Sequence, residues 1–218
     1  MAPAEDLADY PCPACGSTLY GWVKVQAERG QEPVLDRCET CGLAVLRAPT
    51  PPDVRDELAA ISRGPGEYAA ANRRSVQAML GEGHWAAIDA DRRLYLTPQA
   101  TGLLFEKEGL EIGSIRYPAR GRNLGWMWQT LMNAVTLRDN FARDARAGRI
   151  RPDGAGERMR FAVDAMVTVL AAIPVTVLSG FELIAVMFRR GGEMVIEARP
   201  IAHVAADELG ETDDLAAG

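Results

Sequence analysis

Cys12-Pro-Ala-Cys15-Gly16 and Cys38-Glu-Thr-Cys41-Gly42 are the two stretches from which the chain is read. A two-residue gap lets both thiolates of a pair converge on one metal from a tight turn, and the following glycine supplies the positive φ such a knuckle needs. Two knuckles give four thiolates, the tetrahedral shell that zinc prefers. The 22 residues between the pairs include Thr18–Val25 and Val34-Leu35, a β-rich stretch bent at Gly30, and a further strand follows at Leu43–Leu46. Knuckle, strands, knuckle is the pattern of a zinc ribbon, here residues 1–48, with Cys12, Cys15, Cys38 and Cys41 as ligands. Four thiolates leave no open position for water or substrate, so the expected role is structural. Disulfides are disfavoured because no apolar signal segment precedes the cysteines, which also points to the cytoplasm. A redox pair would open a helix, whereas these pairs close turns. Spacing leaves an iron site with the same ligands open.

The chain has 218 residues, 48% hydrophobic and 25% charged, the composition of a soluble globular protein rather than a disordered one. Its net charge of −6 argues against a nucleic-acid partner. Within the cysteine module Lys24, Arg29 and Arg37 are offset by Glu28, Glu32, Asp36 and Glu39, so no basic face forms.

Beyond the module, Pro49-Thr50-Pro51-Pro52 reads as a connector opening a stretch of linker and helices over 49–83. Asp53 caps a helix through Ile61, Arg63–Gly66 breaks it, and a second helix is expected from Glu67 to Leu80, ending at Gly81. Leu94–Leu96 is strand-like. Thr97 and Pro98 start a helix to Glu108, and Leu110–Tyr117 reads as a strand. A long helix is expected over Asn123–Ala147, another from Glu157, and a closing strand over Glu193–Arg199. The tail at 207–218 is acidic and expected to be disordered. Ala165–Phe181 carries no charge over 17 residues, near the roughly 17–25 that span a bilayer. Pro174, Ser179-Gly180 and the flanking Asp164 and Glu182 favour two shorter helices, broken near Pro174 and packed on a core. A true span, and a peripheral, monotopic membrane contact helped by the seven arginines between Arg138 and Arg160, are the other readings.

Trp85–Thr97, Phe105–Ile112 and Met187–Ile196, behind a cysteine-knuckle module and a proline connector, resemble bacterial class I methyltransferases that use S-adenosylmethionine. The resemblance covers residues 10–50 and 84–200. It implies that 84–206 is a methyltransferase-like body whose helix, turn and strand phrases are late elements of a seven-stranded sheet. The chain departs from that family where the cofactor binds. No apolar strand runs into an acidic, glycine-rich loop. Gly64-Pro65-Gly66 and Gly81-Glu82-Gly83 both follow helical stretches and read as helix terminators. About forty residues separate the connector from His84, too few for four parallel strands with crossovers of roughly 30 residues each. The expected fold class is therefore α+β: a small N-terminal zinc ribbon followed by a reduced α/β body, partly Rossmann-like, with several long helices.

The other chemistry is sparse. His84 and His203 are the only histidines, and His84 reads as a surface or packing residue. Asp89 and Asp91 read as turn formers. The functional expectation is a zinc-ribbon pseudoenzyme that has lost S-adenosylmethionine binding and acts on a protein partner or by homo-oligomerisation. Trp126, Trp128 and Leu131, with the apolar segments around Met166–Phe188, are the expected contact surface. The alternative is an active S-adenosylmethionine-dependent methyltransferase on a small-molecule or sugar-like substrate.

Overall fold

The computed structural model describes residues 10–25, 34–89, 91–119 and 122–201. The chain runs β1 (Leu19–Lys24), β2 (Val34–Cys38), β3 (Ala44–Leu46), α1 (Val54–Ile61), β4 (Ser62–Gly64), β5 (Glu67–Ala71), α2 (Val76–Gly81), a 3-10 turn (Glu82–His84) and β6 (Leu94–Tyr95). It continues through α3 (Pro98–Lys107), β7 (Leu110–Arg116), α4 (Arg122–Asn133), α5 (Phe141–Arg146), α6 (Gly154–Ser179), α7 (Phe181–Met187) and β8 (Glu193–Pro200). Two four-stranded sheets result, ordered β1-β2-β3-β6 and β4-β5-β8-β7. Every strand pairing in them is antiparallel, and an Asn72–Leu96 bridge is the sole parallel contact among the described residues. The fold is a mixture of helices and antiparallel sheet, as the α+β class implies. The described residues hold no run of adjacent parallel strands of the Rossmann kind.

The cysteine module does not stand apart from the rest. β6, from the body, adds to the module's sheet beside β3 through Ala44–Tyr95 and Val45–Leu94. Leu19, Leu43 and Val45 pack in one core with Leu58, Leu96, Leu104, Phe105, Met194 and Ile196. A second cluster joins Leu35 and Ala44 to Ala78, Trp85 and Tyr95. Residues 62–71 are likewise part of the body, since they supply β4 and β5 to its sheet.

Several local expectations hold. Asp53 caps α1 by accepting from the Arg55 and Asp56 N–H groups, and Thr97 caps α3 by accepting from Ala100. Others are corrected. Glu67–Leu80 is not one helix: Glu67–Ala71 is a strand, and α2 begins only at Val76. Its alanines favour helix locally, but Ala69, Ala70 and Ala71 pair with Val195, Met194 and Glu193 and are buried, so tertiary pairing overrides propensity. Gly64–Gly66 accordingly turns β4 into β5 rather than ending a helix, with positive φ at both glycines. Asn123–Ala147 divides into α4 and α5. Asn140 sits in the left-handed region at φ 56°, and its N–H donates to the Asn133 side chain, which closes the turn between them.

The largest correction concerns 154–187. Helix α6 runs through Pro174 without a break, because the missing N–H costs one hydrogen bond while α4 holds the helix on either side of it. Leu137 N–H donates to Asp164 at 2.7 Å and Trp128 Nε1 to Thr176 at 3.2 Å, so α4 and its following turn run antiparallel along α6. The segment is not packed into a core either: Val169, Leu170, Ile173 and Val177 are each at least 70% exposed.

Behind α7 lies a buried polar cluster. Glu182, fully buried, accepts from Gly192 N–H at 2.7 Å, and Gln77 donates to the Asn123 carbonyl at 2.8 Å. Gly192 leaves no room for a side chain against Gln77. Glu182 Oε2 and Gln77 Oε1 have no hydrogen-bond partner. Burial raises the Glu182 pKa, opposed by Gln77 and by the Gly192 N–H. The folded state thus favours the protonated carboxyl. Its stabilising effect is present at low pH and is lost as pH climbs from the ordinary carboxylate range through the raised value. Glu182→Gln, which keeps an acceptor for Gly192 without a charge, is expected to raise the thermal midpoint at neutral pH and to flatten its decline between pH 4 and 8, read by calorimetric scans. A variant less stable than the parent at pH 7.5 counts against a buried carboxylate that costs stability there.

Candidate metal centre

Each cysteine pair closes the same turn. Gly16 N–H donates to Cys12 O at 2.8 Å and Gly42 N–H to Cys38 O at 2.9 Å. Cys12 N–H and Cys38 N–H reach back to Ser17 O and Leu43 O. Gly16 and Gly42 have φ of 75° and 74°, the left-handed conformation that favours glycine. Two sequence-distant turns with one geometry therefore present their sulfurs to a common point. Cys12 Sγ lies 3.6 Å from Cys41 Sγ and Cys15 Sγ 3.4 Å from Cys38 Sγ. All four sulfurs lie within 4.8 Å of one another and could hold a metal ion. Cys12, Cys38 and Cys41 are buried, Cys15 is half-buried, and none is in a disulfide.

Without a cation four sulfurs this close cannot ionise together. The Cys41 thiol beside it holds Cys12 down to about 5, against the effect of burial. Sharing that proton, and burial, push Cys41 up in return. Burial also raises Cys38, while at Cys15 it is outweighed by the Ser17 hydroxyl and N–H, which leave that thiol below its ordinary value. A bound cation favours four thiolates, so binding releases the protons that Cys38 and Cys41 retain.

The body grips the second knuckle through one residue that sequence reasoning saw only as a helix cap. Thr97 Oγ1 donates to the Cys41 carbonyl at 2.6 Å and accepts from Ala100 N–H at 3.0 Å. Lys107, at the other end of α3, donates to the Pro13 carbonyl at 2.8 Å. On the outer side of the module Arg47 forks onto the buried Asp36 through Nε, at 3.1 and 3.0 Å. The pairing of Asp36 with Arg47, eleven residues on, becomes visible only once β2 and β3 are placed side by side.

The remaining sequence-predicted residues are scattered. Trp126 is half-buried against the Trp85–Tyr95 cluster, with Arg122 6.0 Å from its ring centre. Trp128 is half-buried against α6, and Leu131 is also half-buried. All three thus face internal packing on at least one side. His84 Nδ1 is 2.9 Å from Asp139, a partly exposed contact joining the 3-10 turn to the loop after α4. Asp89 accepts from Asp91 N–H, as turn residues do. His203, Arg29, Glu28, Glu32, Gly30 and the 207–218 tail lie outside the described residues. Leu94, Tyr95 and Leu96, beside which a cofactor would be sought, are buried. A surface hollow of about 490 Å³ lies elsewhere, lined by Arg55, Leu58, Ser62, Tyr68, Glu108 and Leu110, none of them a histidine or cysteine. Comparison with protein-family models, curated proteins and solved structures finds no match for the chain.

Three outcomes are expected. Single Cys→Ser substitution at Cys12 or Cys41 abolishes stoichiometric metal retention, read by elemental analysis after gel filtration. Acidification of the loaded protein releases the ion as the sulfurs reprotonate. Thr97→Val, which removes both hydrogen bonds at near-constant volume, costs about 1–3 kcal/mol in denaturant titrations, the sum of a lost cap and a lost buried bond.

Proposed function

We propose that the protein is a zinc-ribbon docking protein in which a reduced, methyltransferase-like body has lost catalysis and works by binding a partner. Zinc is the metal its four sulfurs fit best. With Zn–S near 2.3 Å a tetrahedral shell has sulfur–sulfur edges of about 3.8 Å, within the spread of this cluster. The ion's part is to hold the knuckles together and, through Thr97, to fix them on α3.

The single observation that carries the docking reading is the outer face of α6 and α7. Met166, Val169, Leu170, Ile173, Val177, Phe181, Ile184, Met187 and Phe188 are each between 49% and 81% exposed. A soluble monomer rarely shows a contiguous apolar patch beyond roughly 300–600 Å², and one of this extent marks an interaction site. Support for lost catalysis comes from the glycines. The two glycine pairs serve as a hairpin turn and a helix end, and neither forms a loop after a buried strand from which backbone amides reach a cofactor. The order of helix α7, the Gly191-Gly192 turn and closing strand β8 follows the methyltransferase resemblance.

Calorimetric titration with S-adenosylmethionine separates this reading from an active methyltransferase. No heat of binding at millimolar cofactor is expected, together with one zinc per chain. Micromolar binding overturns the docking reading in favour of catalysis.

A further inference from the structure

The α6–α7 unit is built with its polarity reversed. Residues 154–187 form a helical unit long and apolar enough to cross a membrane, yet only 11% of its most apolar stretch is buried. The side that faces the body carries Asp164, Thr168, Ala171, Val175 and Ser179, mostly polar or small, followed by the buried Glu182 and Ala185. The opposite side carries Met159, Met166, Val169, Leu170, Ile173, Val177 and Leu178. At 3.6 residues per turn these outer side chains spread over about half the circumference of α6. A helix of a water-soluble fold buries its large apolar side chains and exposes the polar ones. Here the buried Asp164 bonds inward to Leu137 N–H, Thr176 meets Trp128 at the exposed edge, and the large apolar side chains point away from the protein.

The charges are placed to match. From Phe161 to Phe188 the only ionisable side chains are Asp164 and Glu182, both buried, so the outer face is uncharged for about 42 Å at 1.5 Å per residue. Exposed arginines bracket it: Arg158 and Arg160 at one end, Arg189 and Arg190 at the other. Arg143, Arg146, Arg149 and Arg151, also exposed, precede the helix. Arg146, Arg151, Arg158 and Arg189 make no ion pair within the described residues. Leu137, 65% exposed beside Asp164, widens the apolar surface at that end.

Resting on the reading of this face as the docking surface, we propose that its occupant is an anionic lipid bilayer. The α6–α7 unit lies in the plane of the headgroup–acyl boundary, apolar half inward, with the arginines on lipid phosphates. A single helix of a second copy would cover a narrower stripe and leave part of the half-circumference wet. A perpendicular span is disfavoured because α4 lies along α6 between Trp128–Thr176 and Leu137–Asp164, and a span would carry α4 into hydrocarbon. An acidic protein meeting an anionic surface is reconciled by local charge, seven arginines against four acids over 138–160.

Flotation of the full, zinc-loaded chain with vesicles of phosphatidylcholine, with and without phosphatidylglycerol, tests this. Binding is expected on the anionic vesicles, weaker on the neutral ones and falling with salt. Ile173→Glu with Val177→Glu is expected to lower binding by at least about tenfold, since it puts charge at acyl depth. Arg189→Glu with Arg190→Glu is expected to remove most of the preference for anionic lipid. Brominated acyl chains supply a readout on the unaltered chain, quenching the emission of Trp128 beside Thr176. Absence of both flotation and quenching overturns the bilayer. If light scattering then shows a closed dimer that the Ile173–Val177 variant dissociates, the occupant is a second copy and the docking reading stands. A monomer indifferent to vesicles removes both.

Discussion

Thr97 Oγ1 donating to the Cys41 carbonyl ties the second knuckle to the body at the point where their shared sheet and shared core meet. The same hydroxyl caps α3, so that helix of the body starts against the second knuckle. The knuckle in turn owes its shape to the sulfur cluster. Four cysteines drawn within 4.8 Å fix two turns, the turns fix the ends of β2 and β3, and β3 receives β6 from the body. Loss of the cluster would therefore be felt in the core around Leu104, Phe105 and Ile196, which the module's own Leu19, Leu43 and Val45 help to close.

The α6–α7 unit obeys different physics. Around α7 a buried polar cluster of Gln77, Asn123, Glu182 and Gly192 holds helices and β8 together, with little apolar area contributed by α6. Large apolar side chains that would ordinarily close a core are turned outward instead. The result is a body whose interior is organised from the sulfur side and whose bare face waits on another surface. The proposals of a zinc-stabilised scaffold and of a lipid-facing helix follow from separate observations, and neither requires catalysis.

Much of the candidate site was legible because its signal is local. Cys-x-x-Cys-Gly encodes ligand, spacing and the left-handed glycine within five residues, so both knuckles and their joint cluster follow from spacing alone. The caps at Asp53 and Thr97, the helix to Lys107 and the strand after Gly109 were equally readable. Three readings failed where neighbours overrule propensity. Tyr68–Ala71 became a strand because β8 offered a partner, Asn133–Asn140 became a turn because Asn133 could accept from Asn140, and Pro174 stayed helical because α4 packs beside it.

Taken alone, the sequence determined which four cysteines could hold a metal ion, the α+β class and the presence of a long uncharged apolar segment, since each depends on residue type and short-range order. Only the tertiary structure decided where that segment's apolar side chains point. A periodic helix carries the same pattern whether its large residues face a core or solvent. Asp164 and Glu182 mark the inward side, each with one carboxylate oxygen accepting from a backbone N–H, of Leu137 and of Gly192. Burying a polar group is tolerated where it gains a hydrogen bond, as Asp164 and Glu182 do, whereas the aliphatic side chains of the other face meet no surface of the body and stay outside.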